Sequence, residues 1–385
     1  MKILLLALGI LLVHPLSAVT PPTSENDRHM LSEMIRARMD YYKVPALSLA
    51  VINNGTIEWT QGYGHVTSRA NSSSIDSHTL FQAGSISVPI TAFGALMLVQ
   101  RGKISLDEDV NVYLKRWKIP ENPFSQTEKV TLRRLLSHTA GINMHAFPGL
   151  RVQAAMPNLI DLLEGLKPSL TPPVRVISTP GSEWKYSGGG ILIVQLLIED
   201  VTGESFAIWM QNNVLNPLGM TESTFKQPLP ASYASHSAHG CLRGGIPLAS
   251  GRLANPHLAA AGLWSTPHDL AQFIVYIQLA LKNRNAEPLN TFYVQEMLTR
   301  QSIGARELNY GLGFSLRNDG ENLVFTHSGK EAGFLAYLYG YAYQDQGIVM
   351  MVNSSDGKKL MDEIMTSIAE AYAWQDFQPV GMEGI

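Results

Sequence analysis

Residues Ala46 to Gly62 read ALSLAVINNGTIEWTQG. Two β-favouring runs, Ala46 to Ile52 and Thr56 to Gly62, are joined through Asn53-Asn54-Gly55. Asn-Gly between apolar alternations is a strong hairpin signal, because a two-residue turn of this kind needs positive φ at both positions. Upstream, Ser24-Glu25-Asn26-Asp27 reads as a capped helix start, and Leu31, Met34, Ile35 and Met39 recur at helical spacing. Downstream, from about Phe81 to Arg300, the pattern changes. Helix-length apolar segments (Ile90–Gln100, Leu159–Leu166, Ile191–Asp200, Leu270–Leu281) alternate with Pro- and Gly-rich connections, and Gly203 is placed to stop the helix ending near Val201. Strand-like runs then return at Gly311–Leu316, Leu323–His327, Phe334–Tyr341 and Gly347–Val352, followed by a helix with Leu360, Ile364, Ile368 and Ala371 on one stripe. Helix and hairpin at the start, strands and helix at the end, predict an α/β (α+β) protein. One sheet domain, residues 19–80 and 305–385, would carry a mainly helical insertion over 81–304.

Composition narrows the function classes. Only 16% of the 385 residues are charged and 45% are apolar, which suits a chain with a large core and excludes a disordered one. With 29 basic against 32 acidic residues and no basic cluster, a nucleic-acid partner is not expected. The single cysteine, Cys241, rules out an internal disulfide framework. No metal or organic cofactor is implied. His236 and His239 sit three apart without a supporting third ligand.

The N-terminus has the pattern of a secretory signal peptide: Lys2, an apolar run from Ile3 to Val13, then Leu16-Ser17-Ala18 before an expected cut. That run is too short for ~30 Å of hydrocarbon, so no transmembrane span is expected. The protein reads as exported, periplasmic or secreted, with residues 1–18 removed.

Three short motifs carry candidate chemistry. Phe81-Gln82-Ala83-Gly84-Ser85-Ile86-Ser87 precedes a helix that tolerates Pro89 in its first turn. A serine at a helix N-terminus lies beside free N–H groups that can polarise a substrate carbonyl, although Ser85 could equally cap that helix. Further on come Trp184-Lys185-Tyr186-Ser187-Gly188 and Thr326-His327-Ser328-Gly329.

In this order the motifs resemble the serine β-lactamase and D-alanyl-D-alanine carboxypeptidase superfamily, in its class C β-lactamase-related branch. Leu135-Leu136-Ser137-His138-Thr139-Ala140-Gly141, Leu218-Gly219-Met220-Thr221 and Ala261-Gly262-Leu263-Trp264-Ser265-Thr266 match that branch too. The resemblance covers roughly residues 28 to 374. It implies a β-lactamase/transpeptidase-like fold: an antiparallel sheet flanked by helices, packed against a helical domain, with the site between them. By the same resemblance Ser85 is the acylated nucleophile and Tyr186 shuttles protons. The His327-Ser328-Gly329 strand would line the pocket together with Gly188, His327 would join Ser85 and Tyr186 as a catalytic residue if it reaches the hydroxyl, and the N–H groups of Ser85 and Lys330 would form the oxyanion hole. The partner would be a small-molecule, ester or peptide substrate.

One residue departs from the pattern. The branch has Ser-x-x-Lys, but here the lysine position is Val88. A serine hydroxyl is a weak nucleophile until a base takes its proton, and valine can neither accept a proton nor supply charge. The motif also reads Tyr-Ser-Gly, so Gly188 lacks the side-chain amide found in Tyr-x-Asn. Two readings follow. One is a serine acyl hydrolase, weakened or altered by Val88, acting on a β-lactam, ester or D-amino-acid peptide. The other is a catalytically inactive relative that binds peptidoglycan peptides or another partner.

Overall fold

The computed structural model describes residues 25–67, 72–283 and 286–379, with side chains from residue 29 onward. The signal-peptide pattern of residues 1–18 lies outside the described residues.

Helix α1 (Glu25–Tyr42) leads into strand β1 (Ala46–Asn53), which returns as β2 (Thr56–Gly64). Asn54 and Gly55 have φ of 50° and 70°, the double left-handed turn that Asn-Gly supplies at low cost. Four later strands complete the sheet: β3 (Ser315–Arg317), β4 (Val324–Glu331), β5 (Phe334–Tyr341) and β6 (Gly347–Val352). The order β3-β4-β5-β6-β1-β2 is antiparallel throughout, and β6 pairs β1 with Leu49 opposite Met350, which joins the two ends of the chain.

Both faces of the sheet are covered, and the period-two alternation sorts side chains between them. On one face Leu47, Leu49, Val51, Tyr337 and Met350 pack against Leu31 and Ile35 of α1 and Leu360, Ile364 and Ile368 of the last helix, Lys358–Ala371. Arg38 holds Glu363 with Nε at 2.6 Å and Nη2 at 2.5 Å, clamping the first helix to the last. On the other face Ala50, Ala336, Leu338 and Val349 join the larger core of the helical region. That region is built on α2 (Ser87–Gln100), α3 (Gly188–Thr202) and α4 (Pro267–Lys282). The last helix becomes α5 in this numbering. Among the described residues no helix is long and apolar enough to cross a membrane.

Most periodic segments appear where the sequence places them, and Gly203 ends α3 with φ 75°. The expected strand Gly311–Leu316 is shorter, starting only at Ser315. Gly313 turns through φ 90°, and the Gly311 N–H closes on the Phe314 carbonyl at 2.8 Å, so this stretch is a turn rather than a ladder.

Candidate active site

Ser85 lies in a single 3₁₀ turn, Gly84–Ile86, that runs directly into α2. Neither element takes a capping hydrogen bond from a side chain. Ser85 therefore does not cap the helix, and its half-buried hydroxyl is free for another purpose. Two glycines bring the turn against β4. Gly84 has φ 52°, and a Cβ there would fall 2.8 Å from the Lys330 nitrogen. A Cβ on Gly329 would fall 1.9 Å from the Ala83 carbonyl oxygen and 3.2 Å from the Ser85 nitrogen. Only glycine permits this approach. It sets the Ser85 and Lys330 backbones side by side, the arrangement an oxyanion hole needs.

Strand alternation puts His327, Gly329 and Glu331 on the face turned to the 3₁₀ turn, and Ser328 and Lys330 on the other. The Lys330 side chain is exposed. Glu331, beside Asn255, has its carboxyl pushed up to about 8 by burial.

Tyr186 is buried, and its hydroxyl has no partner at full hydrogen-bond geometry. Burial pushes its pKa up to about 12, and the side chain that relieves this is Ser85. Ser85 is thus the side-chain hydroxyl beside Tyr186. The Tyr186 ring is held by aromatic neighbours, with His138 at 4.2 Å between ring centroids and His145 at 5.1 Å.

His327 is engaged elsewhere. Its Nδ1 lies 2.9 Å from the Ser328 carbonyl oxygen and its Nε2 lies 3.3 Å from the Tyr310 hydroxyl. Burial holds the imidazole down to about 4. Tyr310 also lies 3.1 Å from Nε2 of His138, whose Nδ1 accepts the Ser187 N–H at 3.2 Å. Burial with His327 and His145 nearby lowers His138 to about 3.

Ser187 caps α3, accepting from the Gly190 N–H at 2.9 Å and donating to the Asn143 carbonyl at 2.7 Å. Gly188 donates its N–H to the His145 carbonyl at 3.1 Å, and a Cβ there would lie 3.0 Å from that oxygen. Glycine at 188 therefore fits the close approach of segment 145–147. Val88 is fully buried within the core of the helical region.

His138, Tyr310 and exposed Trp184 complete the cluster, with Trp184 and Tyr310 ring centroids 5.7 Å apart. The sequence signals for the first two are His138 in the Ser-His-Thr loop and the tyrosine just before the expected strand Gly311–Leu316. Among the described residues no group of His, Cys, Asp and Glu could hold a metal ion.

The beta-lactamase family profile matches residues 31–373. Protein flp of Staphylococcus aureus strain N315 is 27% identical over 358 residues, spanning 90% of this chain and 67% of that protein. Two solved structures share the fold at lower identity. D-alanine carboxypeptidase AmpC from Burkholderia cenocepacia superposes with TM-score 0.68 at 20% identity, covering 88% of this chain and 98% of its own. A D-amino acid amidase from Ochrobactrum anthropi gives 0.70 at 19% identity, covering 90% and 99%.

Proposed function

The chain belongs to the beta-lactamase family, and from that premise we propose that it is an exported serine acyl hydrolase working through a Ser85 acyl-enzyme. The observation that carries this reading is the buried Tyr186 hydroxyl, which has no partner at full hydrogen-bond geometry and whose side-chain neighbour is Ser85. A buried hydroxyl short of a full hydrogen bond calls for a role in the site.

The geometry constrains how the proton moves. Ionising Tyr186 at pH 7 from about 12 would cost about 7 kcal/mol, at ~1.36 kcal/mol per unit. That cost favours a concerted shuttle over a tyrosinate base. As Ser85 Oγ bonds to the substrate carbonyl carbon, its proton passes to Tyr186 Oη. The Tyr186 proton passes in turn to the leaving oxygen or nitrogen, whose bond to carbon breaks. Tyr186 stays neutral throughout. The carbonyl oxygen gathers negative charge beside the N–H groups of Ser85 and Lys330. Water then runs the same sequence in reverse on the acyl-enzyme and frees the acid. Gly329 and the Ser328 backbone line the strand side of the pocket, while the Ser328 side chain is turned to the opposite face of the strand. His327 contributes through its strand, because both its nitrogens are already engaged.

Val88 supports a second reading, an inactive relative that binds a peptide or another partner, since the lysine position is filled by core packing. Labelling with a neutral fluorophosphonate probe separates the two. The hydrolase reading expects the unmodified protein to be labelled, Ser85→Ala to be blank, and Val88→Lys to label at least ten-fold faster. Equal signals from the unmodified protein and Ser85→Ala would leave the inactive reading.

A further inference from the structure

The cluster His138–Tyr310–His327 fixes its own protons. The Ser187 amide can only donate, so His138 Nδ1, 3.2 Å away, carries no proton and the ring cannot be an imidazolium. Its proton sits on Nε2 and is donated to the Tyr310 oxygen at 3.1 Å. At the far end the Ser328 carbonyl can only accept, so His327 Nδ1 donates to it at 2.9 Å. Between them, Tyr310 passes its hydroxyl proton to His327 Nε2 at 3.3 Å. A second proton on His327 would point two N–H groups at one phenol oxygen. It would also leave the Tyr310 hydroxyl proton with no acceptor among the described residues, at a fully enclosed site. The run is closed, directional and uncharged from end to end.

Other titratable groups flank this run. His145 and Tyr186 lie against His138 on one side, and the Tyr186 phenol stays protonated. Val88 replaces the one charged position next to Ser85. On β4 the face toward Ser85 carries His327, Gly329 and the Glu331 carboxyl, while Lys330 projects from the opposite face. Lys185, next to Tyr186, is exposed.

We propose that this site selects substrates uncharged around the scissile carbonyl, neutral acyl esters or amides, and rejects those bearing a carboxylate there. The proposal rests on the hydrolase reading and goes beyond it by naming the substrate class. A carboxylate held beside Tyr186 would give up water next to this neutral run, with no buried counter-ion in the cluster to offset the desolvation.

The test uses matched esters, p-nitrophenyl butyrate and mono-p-nitrophenyl succinate, with the full chain. The neutral ester is expected to give a kcat/KM at least ten-fold higher, and Val88→Lys is expected to shrink that ratio. A succinate ester turned over as fast as the butyrate would overturn the proposal. Nitrogen-15 spectra of the histidines give a reading independent of turnover. His138 should show a single Nε2–H tautomer and His327 a single Nδ1–H tautomer, both still neutral at pH 6. An imidazolium at either position at that pH would overturn the proposal even if esters were cleaved. Absence of turnover with both esters would sink the hydrolase reading, and the histidine spectra alone would then decide whether the pocket is uncharged.

Discussion

The two sides of the candidate site reach the same electrostatic state by opposite means. On the helix side Val88, three residues after Ser85, is packed among apolar neighbours with no exposed surface. On the opposite side His138, Tyr186, Tyr310 and His327 are all polar, yet hydrogen bonds and burial keep each one neutral. One side is uncharged through side-chain identity, the other through geometry. The difference teaches that residue types alone misjudge a site. Two histidines and two tyrosines suggest titratable chemistry, and their hydrogen-bond directions remove most of it. What remains free to act is the Tyr186 hydroxyl.

That comparison can be broken or sharpened experimentally. The largest effect should come from the contact joining the two sides. Gly329→Ala would place a carbon 1.9 Å from the Ala83 oxygen, so the 3₁₀ turn and β4 must separate. Probe labelling of Ser85 should vanish, and stability should fall by about 4 kcal/mol, read by urea unfolding. Unchanged labelling would show that the oxyanion geometry does not depend on this approach.

Next is the effect of acid on the polar side. In the unfolded chain His327 takes a proton near pH 6.5, whereas the folded protein resists until about 4. The unfolded state therefore binds more protons between those values, and stability must drop as pH falls through that window. The contribution is about 3 kcal/mol at pH 4, at ~1.36 kcal/mol per unit. It is read as the difference between the unmodified protein and His327→Gln. That difference cancels Glu331, whose raised carboxyl acts in the opposite direction, losing stability as pH rises from 4.5 toward 8. A pH-independent difference would mean that His327 is not held neutral.

Removing the bridge should cost somewhat less. Tyr310→Phe leaves His138 Nε2–H and His327 Nε2 without their shared partner, at about 2 kcal/mol. The smallest effect belongs to Ser187→Ala, which deletes the α3 cap and should cost about 1 kcal/mol by thermal unfolding. A Ser187→Ala cost well above that of Tyr310→Phe would invert the proposed division of roles.

The fold was largely legible because its signals are local. Asn54-Gly55 dictates the hairpin, alternation dictates Phe334–Tyr341 and Gly347–Val352, and helical spacing dictates α4 and α5. The turn at Gly311–Gly313 was not, because an apolar run with two glycines reads like a strand until its left-handed φ is known. In the site, the motifs at Ser85, Tyr186 and His327 stood out by residue type and order. Tyr310 did not, because its importance lies in two hydrogen bonds to residues 172 and 17 positions away in sequence. Nor could the sequence show that both nitrogens of His327 are engaged, since that depends on where its ring points.

The central claim is that Tyr186, held neutral by burial, serves Ser85 directly, with Val88 rather than a lysine three residues on. The rate at which a neutral fluorophosphonate modifies Ser85 in Tyr186→Phe, against the unmodified protein, tests it most directly. The expected result is a fall of about 100-fold or more with the fold intact, the scale of a lost proton-transfer group. An unchanged rate would contradict the account, because Ser85 would then be reacting without the hydroxyl beside it.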